Sequence, residues 1–312
     1  MNPGTPAIRV EGLTRRFGKL TAVDCLSFEV MSGELFGLAG PDGAGKTTTL
    51  RMLAGVLRPH EGDALLNGVS VARDPEGVKQ RIAYMSQRFG LYADLTVQEN
   101  LDFYADLYRV PKSERPARLD RLFRFSNLGP FRDRLAGRLS GGMKQKLGLS
   151  CALIHEPEIL LLDEPTFGVD PISRRDLWLI VHEMVGRGTT VLVSTAYMDE
   201  AERFDRLILL HKGRAIALGT PAELQRALPG EVIAARLDRA REARATVLAL
   251  PTVRGAIVFG DRLHVTVASA ERDGPAIGEA LRSAGFRVIE MTAIERSMED
   301  VFIERIAQER VS

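Results

Sequence analysis

Two adjacent carboxylates, Asp163 and Glu164, close the apolar run Ile159-Leu160-Leu161-Leu162, and a lysine, Lys46, closes a glycine-rich loop much earlier in the chain. The loop reads Gly40-Pro41-Asp42-Gly43-Ala44-Gly45-Lys46-Thr47-Thr48 and follows the apolar segment Leu35 to Ala39. It fits G-x-x-x-x-G-K-[ST] between a buried strand and a helix, where glycines let successive backbone N–H groups converge on phosphate oxygens. Lys46 is then placed to reach the outer phosphates of a nucleotide, and Thr47 to offer its hydroxyl to Mg²⁺. Taken alone, the octet also reads as a glycine turn before an ordinary helix. The carboxylate pair weighs against that, because two charges at the end of a strand buried on both faces are costly unless they hold a cation or do chemistry.

The elements that position these groups follow from punctuation and periodicity. Ile8 to Val10 and Ala22 to Val30 read as short strands with Gly18 between them, and Gly33 turns the chain into strand Leu35 to Ala39. Phe17 is either a stacking platform for a purine or a strand-end core aromatic. Short strands are expected at Ala64 to Leu66, Val69 to Val71 and Ile82 to Met85, the last delivering Ser86 and Gln87. Leu101, Tyr104, Ala105 and Tyr108 recur at helical spacing within Val97 to Arg109, and Arg115 to Phe125 forms a second helix with a solvated basic face. Leu139-Ser140-Gly141-Gly142-Met143 opens another helix. Ser140 is a candidate N-cap, and the glycines leave the positive helix end open to an anion. Strand Thr189 to Thr195, a helix over Met198 to Arg203 and a last strand Leu207 to Leu210 complete an open parallel sheet with right-handed crossovers.

The first domain is expected over residues 7–228, ending with a helix at Ala222 to Leu228, and Pro229-Gly230 marks the boundary. Residues 231–312 then read as strand Val232 to Leu237, helix Arg239 to Leu248, strand Gly255 to Phe259, strand Leu263 to Val267, helix Pro275 to Ala284 and strand Phe286 to Met291. This β-α-β-β-α-β order predicts a small α+β domain, closed by a helix from Met298 to Ala307 behind a Ser297–Asp300 capping box.

With 42 basic and 41 acidic residues, the net charge of +1 gives no electrostatic case for a nucleic-acid partner. Cys25 and Cys151 match no metal or redox spacing and read as reduced core thiols of the cytosol. Met1 to Arg16 carries no apolar signal region, and no apolar run approaches the ~20 residues a bilayer span needs. Any membrane role is therefore expected to come through a partner.

The collinear set Gly40 to Thr48, Gln87, Leu139 to Gln145, Ile159 to Glu164 and Asp170 resembles the ATP-binding subunit of ABC transporters over roughly residues 7–220. Ser297-Met298-Glu299-Asp300-Val301-Phe302 is similar to the C-terminal extension of ABC-2 type ATPases, the drug, polysaccharide and lipid exporter group. The resemblance implies an α/β P-loop NTPase with a helical subdomain at about 88–150. It gives Phe17 the adenine-stacking place and Gly40, Pro41, Asp42, Gly43, Ala44, Gly45, Lys46, Thr47 and Thr48 the phosphate loop of ATP. It has Thr47, Gln87 and, through water, Asp163 serve Mg²⁺, with Gln87 also touching the attacking water that Glu164 polarises and sensing the membrane partner. Ser140, Gly141 and Gly142 would cap the γ-phosphate bound to a second ATPase subunit, the same or a different chain, and Asp170 would lie in the loop crossing that interface. The remaining partner would be a separate ABC-2 type permease, holding the protein on the cytoplasmic face of the inner or plasma membrane and received by the segment Arg88 to Asn100.

One position departs from the pattern. In Val193-Ser194-Thr195-Ala196-Tyr197, the switch histidine of the family falls on Ala196, which carries no donor for a γ-phosphate. Losing one transition-state donor costs about 10² to 10³ in rate, so the expectation is either slow turnover or pairing with a different subunit that carries the intact switch. A nucleotide-sensing regulator is the alternative that Ala196 raises, and the retained Glu164 argues against it. A soluble ABC ATPase of translation or chromosomes is a third class, opposed by the single cassette and the lack of sustained heptads.

Overall fold

Continuous apolar runs become strands buried on both faces, and these form the spine of the first unit. The computed structural model describes residues 6–87 and 90–309. The antiparallel pair β1 (Pro6–Phe17) and β2 (Leu20–Met31) precedes β3 (Leu35–Ala39), which feeds α1 (Lys46–Leu53). Then come β4 (Glu61–Leu66), β5 (Val69–Ser70), α2 (Pro75–Lys79), β6 (Ile82–Met85), α3 (Val97–Leu107), α4 (Arg115–Ser126), α5 (Gly141–Leu153) and β7 (Ile159–Asp163). The unit closes with α6 (Pro171–Gly186), β8 (Thr190–Thr195), β9 (Arg206–His211) and β10 (Arg214–Gly219).

Two sheets result, one antiparallel in the order β2-β1-β4-β5 and one in the order β10-β9-β3-β8-β7-β6. In the second, β6, β7, β8, β3 and β9 run parallel and β10 is an antiparallel edge. One core joins the sheets: Leu13, Leu26 and Phe28 meet Phe36, Leu161, Leu192 and Ile208, with Leu50 and Leu53 of α1 between. The Phe28 and Phe36 rings stack at 5.4 Å.

The structure corrects several expectations. β1 and β2 each run 12 residues rather than in short pieces, because register shifts around Val10 to Arg16 break the alternation that would announce them. A 16-residue helix, α6, and the edge strand β10 were not anticipated, and Cys25, expected in the core, is exposed on β2 at a φ of 49°. The helix expected over Met198 to Arg203 is only a single 3₁₀ turn, Ala201–Arg203. The buried Glu200 carboxylate, accepting from Thr195 Oγ1 at 2.7 Å and Trp178 Nε1 at 3.2 Å, ties that segment to β8 and α6 instead. Arg88 and Phe89, the start of the expected subdomain and docking segment, lie outside the described residues.

The chain divides into two compact units at Thr220/Pro221, ahead of the expected boundary. The second holds α7 (Pro221–Arg226), β11 (Glu231–Leu237), α8 (Ala240–Leu248), β12 (Val253–Phe259), β13 (Arg262–Val267), α9 (Ala270–Ser283), β14 (Val288–Ile294) and α10 (Met298–Glu309). The Arg296 guanidinium donates to the carbonyls of Gln225 and Leu228, which explains why α7 belongs here. The antiparallel sheet runs β12-β13-β11-β14, with Ile233, Ala235, Leu263 and Val265 packed in one core with Val247 of α8 and Ile277 of α9. From the other face, His264 and Thr266 bond Asp300 and Glu304 of α10. Among the described residues no helix is long and apolar enough to cross a membrane.

Candidate nucleotide site

The phosphate loop is formed by tight backbone contacts at the end of β3. Gly40 N–H donates to Thr195 O at 3.1 Å, and Ala44 N–H to Pro41 O at 3.1 Å. A Cβ on Gly45, whose φ is +104°, would stand 2.4 Å from Ala22 O, so glycine is required for the loop to lie against β2. Lys46 heads α1 and is only 4% exposed. Its Nζ donates to Gly40 O at 2.7 Å and Pro41 O at 3.0 Å, and meets Glu164 Oε1 at 3.0 Å.

β7 lies between β6 and β8, which sets Asp163 beside Ser194. Asp163 accepts hydrogen bonds from Thr47 Oγ1 at 3.0 Å, Ser194 Oγ at 2.8 Å and the Tyr84 hydroxyl at 3.2 Å. Burial, helped by the Asp163 charge, pushes the Tyr84 phenol up to about 12, so it stays a neutral donor. Thr47 and Asp163 thus bring two hard oxygens together, the donor chemistry Mg²⁺ takes alongside phosphate, and the residues present fit that ion.

Glu164 has a left-handed backbone, φ 49°, uncommon for a residue with a side chain. Its N–H donates to Ser194 Oγ at 3.0 Å, and its carboxylate lies between Lys46 and Gln87 Nε2, the latter at 3.1 Å. Backbone strain of this kind persists only where the surroundings over-determine it.

A cavity of about 660 Å³ opens over this cluster. Its walls include Phe17, Ala22, Asp42 to Thr48, Gln87, Glu164, Phe167 and Lys212. Phe17 is 47% exposed, so it lies at the surface and not in the core, and the Arg15 guanidinium stands 4.9 Å from its ring centre. Gly40, Pro41 and Asp163 are not among the lining residues but accept hydrogen bonds from Lys46 and Thr47, which are.

Ser140, Gly141, Gly142 and Asp170 do not line this cavity. Ser140 caps α5 by accepting from Met143 N–H at 3.3 Å, and Asp170 caps α6 by accepting from Ser173 N–H at 3.0 Å. That bond holds the Asp170 carboxyl below its usual range. A Cβ on Gly142 would strike Ser173 Oγ at 2.2 Å, so the tips of α5 and α6 abut at a glycine. Ala196 follows β8 directly, its methyl partly buried.

The sequence reading missed Ser194, Tyr84, Phe167 and Lys212. Ser194 carried a usable signal, since a hydroxyl inside a doubly buried strand must find a partner.

A glycine loop, a lysine at a helix start and a strand-end carboxylate pair, on a parallel sheet flanked by an antiparallel one, define a P-loop nucleotide-binding cassette. Residues 23–167 match the family model described as "ABC transporter", and residues 219–306 match "ATP-binding protein DrrA1-3-like, C-terminal domain". The chain is 35% identical to the daunorubicin resistance ATP-binding protein DrrA3 of Streptomyces coeruleorubidus, over 97% of each chain. It is 42% identical to the probable multidrug ABC transporter ATP-binding protein YbhF of Escherichia coli K12, over 95% of this chain and 51% of that one, thus spanning about half that relative's length. A solved structure of an ATP-binding subunit of an ABC transporter superposes with TM-score 0.66 at 32% identity, covering 72% of this chain and 93% of that one. The chain belongs to the ABC transporter ATP-binding protein family, in the branch with the DrrA-like C-terminal domain.

Proposed function

We propose that this chain binds MgATP in the 660 Å³ cavity and hydrolyses it between two ATPase subunits to power an ABC-2 type exporter of drug-like or lipid substrates. The single observation that carries the reading is the convergence of Lys46 and Thr47 of α1, Asp163 and Glu164 at the end of β7, and Gln87 after β6. Phe17 stacks the base, Gly40 to Thr48 cradle the phosphates, and Lys46 neutralises their outer charge. Thr47, Asp163 and Gln87 would hold Mg²⁺, which when bound would supply further charge neutralisation on the phosphate oxygens. Glu164 accepts the proton of the attacking water, and Gln87 orients that carboxylate. Phosphoryl transfer needs little beyond such positioning and charge.

Ser140 to Gly142 and Asp170 do not line the nucleotide cavity of their own chain, which supports a second subunit supplying its α5 tip. Gln87 also lines a second cavity, of about 310 Å³, with Leu91, Ala93, Gly137 and Lys144. Through it the γ-phosphate end of the site communicates with the helical subdomain, where Tyr92, Phe103 and Leu107 are exposed for a permease. The protein then sits at the cytoplasmic membrane face through that permease.

Ala196 is expected to make turnover slow, because its methyl carries no donor for the γ-phosphate. Calorimetric MgATP titration and phosphate release by wild type and Ala196→His test the reading. Tight MgATP binding by both and an about 10²-fold faster variant are expected. No gain sinks the slow-site explanation, and no MgATP binding by wild type sinks the whole assignment.

A further inference from the structure

Lys212 belongs to none of the motifs that mark the site, yet it lines the same cavity as Phe17 and the phosphate loop. It sits in the two-residue Lys212-Gly213 turn between β9 and β10, where His211 pairs with Arg214. Both turn residues have positive φ, 47° and 81°. Such a turn favours Asn-Gly, and the β4–β5 turn uses that pair, Asn67-Gly68. At the turn facing the cavity, a lysine holds the strained place.

The turn is fastened to the phosphate loop. Gly213 N–H donates to Ala44 O at 3.0 Å, and Gly213 O accepts from Asp24 N–H at 2.9 Å. A Cβ on Gly213 would lie 2.9 Å from Ala22 O, so the turn has no room to shift toward β2. Among the described residues Lys212 has no ion pair, whereas Lys46 is committed to Glu164. The lining therefore presents one uncommitted ammonium, on a rigid mount, beside a loop built for phosphates.

We propose that Lys212 is a phosphate-contacting residue, bringing a second ammonium to the phosphate chain of the bound nucleotide from the β9–β10 turn. The proposal rests on the nucleotide-site reading above and adds to it a residue outside the loop. A chain that spends backbone strain to keep a cation here places charge where a polyanion binds.

The test uses Lys212→Asn, which suits the turn, and Lys212→Arg, which keeps the charge. MgADP and MgATP affinities are measured by calorimetry at low and high salt, with melting temperatures. Lys212→Asn is expected to weaken both nucleotides about fivefold to tenfold at low salt, to flatten the salt dependence, and to leave the melting temperature equal or higher. Lys212→Arg is expected within about twofold of wild type. Wild-type affinity and salt dependence in Lys212→Asn overturn the proposal while leaving the site assignment standing. A wild type that binds neither nucleotide overturns the assignment itself.

Discussion

Ser194 offers the sharpest probe of how the carboxylate pair is held. Its side chain is fully buried, its hydroxyl donates to Asp163 Oδ1 at 2.8 Å, and the same oxygen accepts the Glu164 N–H at 3.0 Å. In Ser194→Ala both bonds go, but neither group is orphaned. Asp163 keeps Thr47 and Tyr84, and Glu164 N–H keeps Ser194 O at 3.2 Å. The loss is therefore close to one hydrogen bond to a charged group, about 2 kcal/mol. For a cassette of this size that lowers the melting temperature by roughly 4–8 °C. The Mg²⁺ concentration for half-maximal turnover should rise severalfold as well, because Asp163 loses the donor that aims it toward Thr47. Differential scanning calorimetry gives the first quantity and phosphate release across a Mg²⁺ series the second. A melting temperature within about 1 °C of wild type, with unchanged Mg²⁺ dependence, would refute the reasoning, since surface-like substitutions behave that way.

Two further predictions concern the loop and the helical subdomain. Gly45→Ala drives a methyl to 2.4 Å from Ala22 O at φ +104°, and calorimetric titration should show MgATP affinity reduced at least about 10²-fold; near-normal binding means the loop is free to move off β2. His155 stacks on Tyr108 at 3.8 Å, and burial pushes its imidazole down to about 4. The unfolded chain takes the proton near pH 6.5 and the folded chain resists it to about 4, so stability is full above 6.5 and falls with pH across that window, by about 3 kcal/mol. His155→Phe keeps the stack and should flatten denaturant midpoints between pH 7 and 4.5; an unchanged slope assigns the pH dependence to other groups.

What could be read from the sequence sorts by how locally each feature is encoded. β3 and β6 match their expected bounds, and β7 extends its apolar run by only Asp163, because strands buried on both faces show as unbroken apolar runs. The phosphate loop and the carboxylates were equally visible, since their chemistry is written in consecutive residues. The six elements of the second unit's βαββαβ order were legible too, although α9 begins at Ala270, ahead of Pro275, with Ser269 as its cap. α6 was hidden because Leu177-Trp178-Leu179-Ile180-Val181 looks like a strand, and only its Asp170 cap and the turn-spaced Leu177, Val181 and Met184 reveal the helix. β10 is an edge strand with mostly exposed residues, so nothing but its pairing with β9 defines it. The roles of Ser194 and Tyr84 depend on which strands lie side by side, and strand order is not a local property.

The contact between Lys46 and Glu164 imposes a sequence of events under the proposed function. While the ammonium is shared with two loop carbonyls, it also holds the Glu164 carboxylate at 3.0 Å. A triphosphate that claims the lysine sets the carboxylate loose in the same movement. Under that reading, substrate arrival and the release of the carboxylate toward the attacking water become a single act, a safeguard against acting before the site is loaded.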